Sequence, residues 1–269
     1  MRRSASRLTP EQLDLLRDAF RAVMQISDER GYNYFAGIHG LPRPIGCDSA
    51  HGTPYFLPWH RAYLYFFERA LRDRVSDAML VWWDWRTTNL GDNPALPRAF
   101  SQKQPGGRRN PLYSAPVDPI ALEQGRRIRP TPIVVKPNTV RELGPPGAPP
   151  LPTKAEVTRV LGRNEFLDFS MALEGLHDRV HVWTGGANGH MRHIPFAAFD
   201  PIFWAHHTMI DRIWRLWQLR HPQARPPAAI LNDALPPFRM TVRQTLDVTA
   251  LGYDYAASTS SQAAVGGSP

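Results

Sequence analysis

Histidines stand on the apolar faces of this chain's helical stripes, and that feature constrains the fold most. Over roughly 164–182, Phe166, Phe169, Leu173, His177 and His181 share one apolar side of a predicted helix. His60 falls in a second stripe with Leu64, Phe67 and Leu71, at spacings of 4, 3 and 4. His207 falls in a third with Ile210, Trp214 and Trp217, spaced 3, 4 and 3. Buried imidazoles must be neutral and must find partners, and metal ligation supplies one. Four inward-facing histidines on three helices exceed what one closed tetrahedral zinc would draw from them.

The donor chemistry narrows the metal. The chain holds 10 histidines and a single cysteine among 269 residues, so no internal disulfide framework or cysteine zinc cluster can form. His177 and His181 lie four apart, which puts both rings on one helical face. A zinc protease would need Glu beside the first of them, and Asp178 stands there instead. With His39 and His51 upstream, two sites of three imidazoles each can be built. All-imidazole ligation suits copper best and zinc next.

Helix starts are marked by a capping residue followed by proline: Thr9-Pro10 (with Gln12 placed for a capping box), Thr53-Pro54 and Asp200-Pro201. Gly185-Gly186 marks an end. Residues 87–153 are rich in Pro, Gly and Arg and read as surface loops inside a single domain spanning 1–256. Ile133-Val134-Val135 is predicted as a short strand there. The tail, 257–269, is small, polar and expected to be disordered. The net charge of +8 is nearly all arginine and is spread along the chain, as on a solvated basic surface. No basic stripe suggests nucleic acid, and no run of 18 apolar residues suggests a membrane. The start has no signal peptide, so a cytoplasmic location is expected, with export alongside a partner protein as the alternative.

Several motifs resemble those of one family. His51-Gly52-Thr53-Pro54-Tyr55-Phe56-Leu57-Pro58-Trp59-His60-Arg61, continued by Glu68-Arg69-Ala70-Leu71 and Trp82-Trp83-Asp84-Trp85, is similar to the first copper motif of tyrosinases, catechol oxidases and molluscan hemocyanins. His177-Asp178-Arg179-Val180-His181-Val182-Trp183 resembles the start of the second motif. Asp200-Pro201-Ile202-Phe203-Trp204-Ala205-His206-His207, with Asp211-Arg212-Ile213-Trp214, resembles its end. Tyr253-Asp254-Tyr255 resembles the paired tyrosines that close the family's core. The likeness covers about 10–90 and 160–256.

The resemblance implies a mainly α fold: a four-helix bundle around a dicopper centre, with long Pro/Gly-rich loops and few short strands. It assigns His39, His51 and His60 to one copper ion, and His177, His181 and His207 to the other. It implies O2 as co-substrate and o-diphenols oxidised to o-quinones, with ortho-hydroxylation of monophenols. Glu174 and Asp178 are expected to handle protons, and Phe196, Phe203 and His206 to shape the substrate pocket. His190 and His193 are expected near the mouth without being ligands, and Met191 as loop packing. Cys47 is expected as a buried thiol, not a thioether partner of His51. A small phenol is the expected partner, with a copper-delivery or export protein as a second. Competing readings are an oxidase limited to o-diphenols or o-aminophenols, a hemocyanin-like O2 carrier and a zinc hydrolase. The carrier is disfavoured because no lid or repeat is expected.

Overall fold

Thr9 begins the first helix as its neighbours predict. Its hydroxyl accepts from the Gln12 N–H while the Gln12 side chain accepts from the Thr9 N–H, with Pro10 in the first turn. The computed structural model describes residues 1–44, 47–92 and 96–256, the Asp48 side chain excepted. The expected tail, 257–269, lies outside the described residues.

The described chain is mainly helical. Its elements are β1 (Arg3–Ser4), α1 (Pro10–Val23), α2 (Tyr32–His39), α3 (Cys47–Ala50), α4 (Phe56–Arg72) and β2 (Val81–Trp82). Then come α5 (Arg98–Ser101), α6 (Pro119–Arg127), α7 (Lys154–Leu161), α8 (Phe166–Gly185), α9 (Ile194–Ala197) and α10 (Ile202–Arg220). The bundle is α1, α4, α8 and α10, and α2 packs directly against it, the Phe35 ring 5.4 Å from Phe67 of α4. Aromatic pairs lock its layers. Phe20 of α1 meets Phe67 of α4 edge-on at 5.6 Å, and Phe67 stacks on Trp204 of α10 at 3.6 Å. Phe169 of α8 stacks on Trp217 of α10 at 4.5 Å.

The two strands form one short parallel pair, Arg3 opposite Val81. This pairing draws Arg2 into the core, where its guanidinium bonds Glu68 and Asp211 at 3.0 and 3.1 Å and lies 3.6 Å from the Tyr253 ring centroid. Both tyrosine hydroxyls of Tyr253-Asp254-Tyr255 donate to Asp211, which also takes the Arg61 guanidinium. Arg2 and the Tyr253-Asp254-Tyr255 segment are thereby pinned to α4 and α10.

Some predicted boundaries move. α4 starts at Phe56 without a side-chain cap; Thr53 instead holds the preceding turn, donating to Ala50 O and accepting from Tyr55 N–H. α8, by contrast, ends at Gly185 with Gly186 as its cap, at the Gly185-Gly186 stop that the residues predict. Ile133-Val134-Val135 forms no strand. The Ile133 N–H goes to Gly125 O at the end of α6, and Val134 is exposed, so no ladder partner exists. The stretch 87–153 does hold α6, capped by Asp118 ahead of Pro119, and it leads into α7, capped by Thr153 with Glu156. Both signals, an acid before proline and a Thr-x-x-Glu box, are present in the sequence. Among the described residues no helix is long and apolar enough to cross a membrane.

Candidate metal centre

Each predicted ligand is placed by a different local device. His39 is the last residue of α2. A Cβ on the following Gly40 would sit 2.4 Å from Pro195 Cα, so only glycine lets the chain pass there. His51 follows α3, and Gly52 beyond it has φ +66°. His60 lies one turn into α4, His177 and His181 on α8, His206 and His207 on α10.

The backbone and two carboxylates fix five of the six predicted ligand rings, while His207 Nδ1 is buried with no acceptor among the described residues. Nδ1 of His39 faces Ile194 O at 3.3 Å, that of His60 faces Phe56 O at 2.8 Å, and that of His181 faces Met191 O at 2.8 Å. Nδ1 of His51 faces Glu174 Oε1 at 2.8 Å and that of His177 faces Asp178 Oδ1 at 2.9 Å. An acceptor at Nδ1 puts the proton there and leaves the Nε2 lone pair for a metal.

In the second set the Nε2 atoms converge. His207 Nε2 lies 3.3 Å from Nε2 of both His177 and His181. Three imidazole nitrogens at this separation are close enough together to hold one metal ion. In the first set, donor atoms of His39, Cys47, His51 and His60 all lie within 4.8 Å of one another, and His60 Nε2 is buried without a hydrogen-bond partner among the described residues. The donor set therefore fits bound metal: neutral imidazoles, nitrogens aimed inward, and an orphaned buried nitrogen.

Burial keeps the rings neutral. Desolvation, followed by neighbouring histidines, pushes His39, His60, His177, His206 and His207 well below the ordinary imidazole range. Desolvation brings His181 to about 4. Desolvation also raises the Asp178 carboxyl.

A cavity of about 310 Å³ opens onto these rings. His39, His51, His177 and His181 line it together with Glu174, Asp178, Val182, Met191, Arg192 and Ile194. Glu174 accepts from the Gly52 N–H as well as from His51, both at Oε1. The three residues expected in the pocket sit deeper than the lining. Phe203 packs between the sets, its ring 4.7 Å from His39 and 4.1 Å from His207. His206 stacks on His177 at 5.0 Å, with both ring nitrogens buried and without a hydrogen-bond partner among the described residues. Phe196 is buried against α6, its Cζ 2.5 Å from where a Gly125 Cβ would be. His190 is a loop strut, taking the Val140 N–H at Nδ1 and facing Lys136 O with Nε2. Met191, expected only to pack its loop, is buried, lines the cavity and holds His181. Two features escaped sequence reasoning. Arg192 and Ile194 reach the rim from the turn ahead of α9 and from its first residue, and buried Cys47 faces His39, with Sγ 3.1 Å from Nε2. Nothing in the spacing of Cys47, four residues before His51, signals that partner.

The family model for the common central domain of tyrosinase matches residues 29–220, which carry every one of these histidines. The chain belongs to the tyrosinase family. This tyrosinase-family chain is 34% identical to a tyrosinase of Streptomyces glaucescens over 82% of its own length and 86% of the relative's. Its fold is similar to a functional unit of octopus hemocyanin, with a TM-score of 0.76 and 25% identity, covering 96% of this chain and 68% of that one. It also resembles a copper-bound active tyrosinase of Aspergillus oryzae solved with L-tyrosine (TM-score 0.74, 21% identity, 95% and 92% coverage). The chain is thus a tyrosinase-type copper oxidoreductase with a copper-binding histidine site.

Proposed function

We propose that this chain uses O2 to oxidise o-diphenols to o-quinones and to ortho-hydroxylate monophenols, with two copper ions. His39, His51 and His60 would hold one ion, and His177, His181 and His207 the other, with residues 1–256 acting as one catalytic core. The observation that carries the reading is the paired histidine sets opening directly onto a cavity of phenol size. Bound copper would supply the redox chemistry with O2. The protein supplies the rest. Val182, Met191 and Ile194 give a ring an apolar wall. Glu174 keeps Oε2 for the phenolic proton while Oε1 holds His51 and Gly52. A phenol with pKa near 10 needs such an acceptor beside it.

An oxidase confined to o-diphenols is the second reading. One observation favours it: both carboxylates at the mouth are already engaged, Glu174 by His51 and Gly52, Asp178 by His177. Oxygen uptake by copper-loaded protein, with copper counted per chain, separates the two. Turnover of a tyrosine-like monophenol and its matched catechol supports the full activity, and turnover of the catechol alone supports the second reading. Reversible O2 binding without turnover, or zinc retained in place of copper, overturns both.

A further inference from the structure

The segment Met191–Ile194 touches both histidine sets. Met191 O is the acceptor for His181 Nδ1, and Ile194 O is the acceptor for His39 Nδ1. Arg192 and His193 lie between these anchors. Two glycines seat the segment: a Cβ on Gly185 would meet Arg192 N at 2.2 Å, and one on Gly40 would meet Pro195 Cα at 2.4 Å. The Arg192 backbone is therefore held at the end of α8, one turn beyond His181.

The Arg192 side chain is exposed and lines the cavity. Among the described residues its guanidinium forms no ion pair. Its contact with Gly186 O is 3.4 Å, longer than the usual ~2.7–3.2 Å for an N–H···O bond. The two carboxylates at the mouth already have donors, as described above. Arg192 is thus the rim charge whose donors remain available, on a rigid backbone, above an apolar wall.

The geometry points to Arg192 as the residue that reads the substrate's ring substituent, receiving the carboxylate of a carboxylated phenol or catechol while the ring lies against Val182, Met191 and Ile194. This inference rests on the phenol-oxidase reading above. A guanidinium offers a planar pair of donors that matches a carboxylate, and Arg192 shares its cavity with the histidines that the hydroxyl end would face. Preorganised backbone reduces the ordering cost of that contact. Asp178 on the same rim would favour an ammonium substituent, so the two residues make opposite demands.

The test compares one catechol ring carrying a propionate, its amide or an ethylamine, at low salt. With the wild-type protein, kcat/KM should be highest for the propionate. In Arg192→Gln the propionate-to-amide ratio should fall about five- to tenfold, with most of the change in KM, and Arg192→Lys should restore part of it. Raised salt should erode the wild-type preference. A second readout needs no turnover: calorimetric binding of 3-phenylpropionate and its amide to the copper-loaded protein, where only the acid should weaken in Arg192→Gln. Preference for the amine, or an acid-to-amide ratio unmoved by Arg192→Gln in both measurements, overturns the proposal. Absent turnover of all three catechols overturns the oxidase reading instead, and the binding comparison still decides Arg192.

Discussion

Glu174 accepts a hydrogen bond from His51 Nδ1 at 2.8 Å. It stands on α8, three residues before His177, so one carboxylate couples the first histidine set to the helix that carries two of the second. The same oxygen holds the Gly52 N–H, which fixes the backbone just beyond the ring. The carboxylate sets both the tautomer and the direction of His51.

Replacing Glu174 should therefore loosen metal at the first set before it affects anything else. Glu174→Ala should weaken copper binding there by about 10- to 100-fold. Glu174→Gln, whose amide oxygen can accept one of the two bonds, should weaken it less. Titration against a competing chelator measures both, and equal affinity in all three proteins would show that the contact does not orient the ligand.

His207 and His206 are adjacent but differently placed. His207 Nε2 meets two other Nε2 atoms, while His206 packs its ring on His177 and bonds nothing among the described residues. His207→Gln should reduce bound copper from two ions to one per chain, and His206→Gln should retain both. Metal analysis after dialysis checks this; the reverse pattern would assign the ligand to the other ring.

The buried rings make the copper-free protein acid-sensitive in a defined window. Their folded pKa values lie below the ordinary 6.5, so below that pH the unfolded chain binds protons that the folded chain refuses. Stability should be complete above pH ~6.5 and should fall as pH drops towards the value of about 4 held by His181. The lowered carboxylates, such as Glu156 at about 2, begin to lose their contribution only as pH falls through their ordinary value of 4.5. Thermal unfolding from pH 7.5 to 4.5 tests it: the midpoint should drop steadily below about 6.5 without copper. A flat profile there would falsify the assignment of neutral buried rings.

Arg2 lies wholly inside, bonded to Glu68 and Asp211. Arg2→Ala leaves two buried carboxylates short of a partner and should cost about 3–5 kcal/mol. Urea unfolding with copper present or absent measures it. A loss below about 1 kcal/mol would mean that Arg61 and the tyrosines compensate.

Gly185 touches no histidine ring, yet a Cβ there would collide with the Arg192 backbone. Gly185→Ala should displace the loop whose Met191 carbonyl holds His181, and so weaken copper at the second set without altering a ligand. Unchanged copper affinity together with unchanged stability would show that the loop can shift freely.

Much of this protein was legible in its order of residues. Apolar periodicity placed α8 and α10, and Thr9-Pro10 with Gln12 placed the start of α1, because helix faces and caps are settled within one or two turns. Histidine on those faces, with too little cysteine to offer thiolates, determined that a metal site lies between helices. Other features depended on tertiary contacts that no local pattern encodes, some between segments only eight or ten residues apart. That Cys47 faces His39, that Met191 and Ile194 anchor a ring from each set, and that Arg192 stands on the rim are set by how loops are packed. Ile133-Val134-Val135 reads as a strand locally but has no partner to pair with, since a ladder needs a second chain segment that only the fold can bring. Local sequence decides backbone conformation over a few residues; which side chains meet across 100 or more residues is decided by the burial of shared apolar surface. The histidine stripes were written in the sequence, and the cavity they face was made by the tertiary structure.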